Sequence, residues 1–271
     1  MTLAGFLFGG VLVCYLVASV AYHAHLFAGS ALARRVAPVA LLMGLLLHAL
    51  ALAGRWVDPQ ASPMPPAVRV VSTVAWLLAL TQLLLDCWGG WASVGALSVP
   101  LAFIAVLYAN VAPHAPVTRD PVLKSALMRV HLTGVIVGFA GFALAFCLAV
   151  VYLAQSALLK RKQLKGALKR LPPLESSARA AHWLAAIGFW TLTIGIITGS
   201  VVAMKVSSSA WYLSPPFVTS AIAWLIYAVY IAASSLGGWR GRKTTYFLIG
   251  GFAALLVAAL INVAGRSPWV R

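Results

Sequence analysis

Val130-His-Leu-Thr-Gly-Val-Ile-Val-Gly-Phe-Ala-Gly-Phe-Ala-Leu-Ala-Phe-Cys-Leu-Ala-Val-Val-Tyr-Leu153 runs for twenty-four residues without an Asp, Glu, Lys or Arg. At about 1.5 Å per residue, a helix of this length measures about 36 Å, enough to cross a hydrocarbon core of about 30 Å. Inside such a core no water pairs the backbone, so the segment must satisfy its own N–H and C=O groups, and a helix does so. Seven further runs share this character: residues 3–22, 36–52, 70–85, 94–111, 183–203, 217–235 and 246–264. The third run is the shortest and borrows Ala67 and Val68. The pattern predicts an all-α fold, a polytopic integral membrane helical bundle of about eight transmembrane helices. Pro100 lies within the fourth run, where it removes a backbone bond and is expected to kink the helix.

Apolar residues make up 62% of the chain and charged residues 9%, against about 25% charged in a soluble domain. The longest polar connection is about 20 residues, 160–179, which leaves no room for a separate soluble domain. The N-terminal run reads as a first span rather than a cleavable signal, because no Lys or Arg precedes Arg34 and the apolar run continues to Phe27. A net charge of +16 invites a nucleic-acid partner. We reject it, because the basic residues sit in short connections between spans, where positive charge sets topology. Arg34 and Arg35 form one cluster. Lys160, Arg161, Lys162, Lys165, Lys169, Arg170 and Arg179 form a second, and Arg240, Arg242 and Lys243 a third. Their default partners are anionic lipid headgroups. Connections 21–35, 86–91, 155–182 and 236–245 together carry 12 of the 20 basic residues. With those on the cytoplasmic side, both termini are extracytoplasmic, as for a protein of a bacterial-type inner membrane.

Few residues carry chemistry. The carboxylates are Asp58, Asp86, Asp120 and Glu175, none at mid-span. Proton relays and carboxylate-coupled transport need acidic groups inside the membrane, and acid–base hydrolysis needs facing carboxylates or a poised histidine. The pattern therefore predicts no catalytic residue and no enzyme. Cys14, Cys87 and Cys147 form no Cys-x-x-Cys pair, so thiol exchange and covalent heme attachment lack a motif. Histidines remain as ligands. His48, in Leu-Leu-Leu-His-Ala-Leu, lies seven residues before Arg55, about 10 Å inside the apolar run. It reads either as a functional group or as a neutral ring bonded to a Ser, Thr or carbonyl of a neighbouring helix. His131 opens the fifth span and reads as a ligand or as an interfacial residue. His23, His25, His114 and His182 read as interfacial. Most tryptophans mark span ends, as an aromatic belt does.

Several segments, in this order, resemble the cytochrome c assembly protein family, the CcsA-type heme-handling membrane proteins. Met43-Gly-Leu-Leu-Leu-His48-Ala-Leu-Ala-Leu-Ala-Gly-Arg55 resembles the family's early span with a heme-associated histidine. Val130-His131-Leu-Thr-Gly resembles the span opening with an extracytoplasmic histidine. Leu171-Pro-Pro-Leu-Glu175, Ile187-Gly-Phe189 and Leu192-Thr-Ile-Gly-Ile-Ile-Thr-Gly199 are the closest stretch. Ala223-Trp-Leu-Ile-Tyr-Ala-Val-Tyr230 and Gly238-Trp-Arg-Gly-Arg-Lys243 complete it. The resemblance covers about residues 40–262 within a single transmembrane domain, 1–271. Departures are specific. Where heme-presenting members carry Trp-x-Trp-Asp-Pro-Lys-Glu, this chain has Trp211-Tyr-Leu-Ser-Pro215-Pro-Phe217. The first Trp and the Pro remain, while the second Trp, Asp, Lys and Glu do not. Two further family histidines align with Ala232 and Trp269.

The resemblance thus points to a divergent, HemX-like branch. It implies a non-enzymatic membrane protein of heme handling or cytochrome c biogenesis. Heme is the implied cofactor, with His48 and His131 as iron ligands and Trp211 and Pro215 as remnants of a heme platform. A membrane protein partner in heme synthesis or cytochrome biogenesis is implied as well. The competing reading is a heme-free scaffold or accessory subunit that retains the family fold.

Overall fold

A computed structural model describes residues 3–57, 66–112, 125–162, 166–206, 210–239 and 241–264. The regular structure of the described residues is all helical, with no strand. Eight long helices follow one another: α1 Leu3–His23, α2 Ala31–Val57, α3 Pro66–Cys87, α4 Ala92–Val111, α5 Ala126–Lys160, α6 Leu174–Val206, α7 Pro215–Ser235 and α8 Arg242–Ala264. Among the described residues, α1 to α7 are each long and apolar enough to cross a membrane. The all-α, membrane-spanning expectation holds, and α3 does take in Ala67 and Val68.

Two helices are much longer than a bilayer crossing needs. α5 has 35 residues and α6 has 33, so each is about 50 Å long against about 30 Å of hydrocarbon. The 20-residue polar connection is therefore shortened from both ends, by Lys160 in α5 and residues 174–179 in α6, and Gly166–Arg170 form a 3₁₀ turn within it. α6 starts directly after Pro172-Pro173, where Ser177 N–H donates to Pro173 O at 3.0 Å. Hydropathy marks where charge stops, whereas the helix ends where its backbone pairing stops. α4 runs unbroken through Pro100, and α2 likewise contains Pro38.

The chain divides into two compact units, residues 1–117 with 151–177, and 118–150 with 178–271. In the first, α1 is the central helix. Phe8, Val11, Tyr15, Ala18 and Tyr22 line its buried face, at the three- and four-residue spacing of one helical side. Tyr15 packs on Gly44 of α2 and Tyr22 on Gly95 of α4. α1 ends in a π-helical turn, Ala24–Ala28, closed by Gly29 at φ 71°. The Arg170 guanidinium packs where a Cβ of residue 29 would stand, and its Nη1 donates to Leu26 O at 2.9 Å.

In the second unit α5 and α6 meet backbone to backbone. A Cβ on Gly134 would fall 2.6 Å from Thr191 O, and one on Gly141 would fall 2.9 Å from Leu184 O. Small residues allow this approach where lipid supplies no hydrophobic driving force between helices. Tyr227 of α7 stacks on Phe142 of α5, with ring centroids 3.6 Å apart.

Candidate functional site

His131 lies in the second turn of α5. Its Nδ1 is 2.7 Å from the carbonyl oxygen of Gly195 on α6. A carbonyl only accepts, so Nδ1 carries the hydrogen, and in the neutral ring Nε2 keeps the lone pair. The ring reaches that carbonyl because Gly199, one turn further on, has no side chain. A Cβ there would stand 2.5 Å from Nδ1. The stretches Val130-His131-Leu-Thr-Gly and Leu192-Thr-Ile-Gly-Ile-Ile-Thr-Gly199 are thus two sides of one contact. His131 is half-buried. A metal-binding histidine usually has one nitrogen tied to a carbonyl or carboxylate and the other left as acceptor.

His48, in the first unit, is arranged differently. It is fully buried. Its Nδ1 lies 3.2 Å from the Tyr15 hydroxyl and its Nε2 lies 3.0 Å from Ser72 Oγ. Phe8 and Tyr15 approach the ring edge-on, each with centroids 5.8 Å away. Here the bond expected of a packing histidine, to a serine of a neighbouring helix, is present. Both nitrogens are engaged, so the ring as it stands offers an iron no lone pair.

Trp211 forms a 3₁₀ turn with Tyr212 and Leu213 ahead of α7, and Pro215 is the first residue of α7, where a missing N–H costs nothing. Trp211 packs edge-on against Phe217 at 5.1 Å. Pro215 is exposed. Among the other histidines, His23 Nδ1 donates to Ser19 O of its own helix at 2.9 Å. His182 Nδ1 lies 3.3 Å from the Tyr230 hydroxyl and 3.4 Å from Ser234 Oγ. His114 lies outside the described residues. Among the described residues no group of three or more His, Cys, Asp or Glu is placed to hold a metal ion.

One constellation escaped the sequence reading. Asp86, at the end of α3, is 5% exposed. Its Oδ2 accepts from the Tyr22 hydroxyl at 3.0 Å and from Arg34 Nη1 at 3.1 Å. Its Oδ1 lies 3.1 Å from Arg34 Nη2 as an ionic contact without directed hydrogen-bond geometry. Arg34 therefore does more than face headgroups: it neutralises a buried carboxylate and ties α2 to α3. The available signal was that Asp86 is one of only four carboxylates. Such a group at a span end needs a partner.

Residues 10–264 match the cytochrome C assembly protein family. The chain belongs to that family. The match takes in residues 10–23 of α1, with Tyr15. Three relatives carry the name cytochrome c biogenesis protein CcsA. The one from Thermosynechococcus vestitus is 25% identical over 255 residues, covering 79% of this chain and 80% of the relative. The one from Pyropia yezoensis is 24% identical over 306 aligned positions, covering 98% and 95%. The one from Guillardia theta is 23% identical over 235, covering 78% and 77%. This cytochrome c assembly family member is a multi-pass membrane protein.

Proposed function

We propose that this chain is a non-enzymatic membrane protein of cytochrome c biogenesis that handles heme, and that His131 is the side chain that meets the iron. The bond between His131 Nδ1 and Gly195 O carries this reading, because it fixes the tautomer and directs the Nε2 lone pair away from α6. Heme would supply a redox-active iron that such a nitrogen could ligate. Gly195 holds the ring, and Gly199 leaves it room. Trp211 and Pro215, at the start of α7, are read as what remains of an aromatic platform beside the cofactor. The relatives' name supports the biogenesis role. The positive-inside rule supports extracytoplasmic termini, and the membrane in this reading is a bacterial-type inner membrane. A membrane protein of heme synthesis or cytochrome biogenesis is the partner in this reading.

A second reading is favoured by the other histidine. With both ring nitrogens of His48 consumed by packing bonds, one expected ligand serves the fold, as in a heme-free scaffold that kept the family architecture. An absorption spectrum of the detergent-purified protein separates the two. A Soret band at near-unit stoichiometry is expected. Purified protein that carries no heme and takes up none on titration with hemin would leave the scaffold reading standing.

A further inference from the structure

We infer that Ser72 and Tyr15 hold His48 as its Nε2–H tautomer and so withhold it from metal coordination, the opposite of the tautomer at His131. The argument is an accounting of hydrogens. Tyr15, His48 and Ser72 are each fully buried, and the chain Tyr15–His48–Ser72 has two hydrogen bonds. A neutral ring brings one N–H and each hydroxyl brings one O–H, so three hydrogens compete for two bonds. In one direction Tyr15 donates to Nδ1 and Nε2–H donates to Ser72. In the other, Ser72 donates to Nε2 and Nδ1–H donates to Tyr15.

The two directions strand different hydrogens. The first leaves over the serine O–H. The second leaves over the tyrosine O–H, at the far end of a rigid ring. Among the described residues the Ser72 hydroxyl, like that of Tyr15, is bonded to His48 alone, so the better donor of the two decides the direction. Phenol is the more acidic hydroxyl and the better donor. Donor strength therefore favours Tyr15 as donor to Nδ1, with the ring hydrogen on Nε2 facing Ser72. Ser72 Oγ then occupies the direction along which an iron would bind. Tyr15 and Ser72 are positioning residues, and His48 is a histidine whose ligand capacity is masked. This refines the heme-handling proposal by assigning iron to His131, although the tautomer itself stands whether or not heme binds.

The test uses the full-length protein in detergent or lipid, labelled with ¹⁵N-histidine and free of heme. The His48 signals are assigned by their loss in His48→Gln. In the wild type, Nε2 is expected to carry the proton and Nδ1 to show the shift of a hydrogen-bonded acceptor. In Ser72→Ala, an Nε2–H would lose the Ser72 acceptor, so the ring is expected to switch to Nδ1–H with Tyr15 accepting. Ser72→Thr, which keeps the hydroxyl, should restore the wild-type pattern. Tyr15→Phe should keep the proton on Nε2 and change only the Nδ1 shift. A wild-type spectrum with the proton on Nδ1 overturns the inference, as does a folded Ser72→Ala protein with an unchanged tautomer. Should Ser72→Ala not fold, the wild-type and Tyr15→Phe spectra decide. Failure of heme binding at His131 would appear in the absorption spectrum and leave these signals untouched.

Discussion

His131 and His48 occupy comparable places in the sequence, each within a long apolar run with a glycine a few residues away, yet their surroundings give them opposite chemistry. His131 is half-buried and spends one nitrogen on a backbone carbonyl, a group that can only accept. His48 is fully buried and spends both nitrogens on hydroxyls, groups that can give or take. A carbonyl fixes a tautomer outright, whereas two hydroxyls fix it only through the donor balance of the whole chain. Whether a membrane histidine is available as a ligand therefore turns on what its partner can donate rather than on its depth.

The largest effect that would break this contrast concerns heme. His131→Ala is expected to lose all copurifying heme, and His48→Ala to keep it, as read from the Soret band at equal protein. The reverse outcome would place the ligand in α2. Retention of full heme by both variants would direct attention to His23, whose Nδ1 is also tied to a carbonyl. Next in size is Gly199→Ala. Its Cβ would sit 2.5 Å from His131 Nδ1, so the ring must leave Gly195. A loss of about 10–100-fold in heme affinity is expected, the range for disturbing a group that orients a ligand. An unchanged hemin titration would show that the carbonyl does not hold the ring in solution.

The smallest effect is on stability, and there the order of the histidines reverses. His48→Ala leaves the buried hydroxyls of Tyr15 and Ser72 without their shared partner and should cost about 2 kcal/mol. His131→Ala gives up one interhelical bond at a half-exposed site, about 0.6 kcal/mol. Thermal unfolding in detergent of protein stripped of heme checks this. Equal losses would mean that the hydroxyl chain contributes little to the fold.

The helices were legible because charge is so sparse that each apolar run stands apart. Their ends were less so. The lower turns of α5 and the first turns of α6 carry Lys160, Glu175 and Arg179, and a hydropathy reading stops where such residues begin. His131 was recognisable from its motif, but its partner was not. The bond goes to the main chain of Gly195, and main-chain acceptors leave no trace in side-chain identity. The glycine-rich run in α6 was the visible sign, since closely packed helices need residues without a Cβ. Tyr15 was the harder case. Nothing in Cys14-Tyr15-Leu16 marks that tyrosine as a partner of residue 48. Asp86 was read as a span-end residue, because burial at a helix end depends on Arg34 and Tyr22, which come from two other helices.

The bond from Arg170 to Leu26 O joins residues 144 apart. A ribosome adds about 5–20 residues per second, so roughly 7 to 30 seconds pass between the synthesis of the two. Throughout that interval the Leu26 carbonyl has no Arg170 to pair with. That carbonyl must therefore lie where water can serve it, and α1 cannot slide deeper into the bilayer without stranding the group. The timing of synthesis thus bears on the depth of the first helix. Arg170, read from sequence as one more positive charge, is the residue that ends the wait.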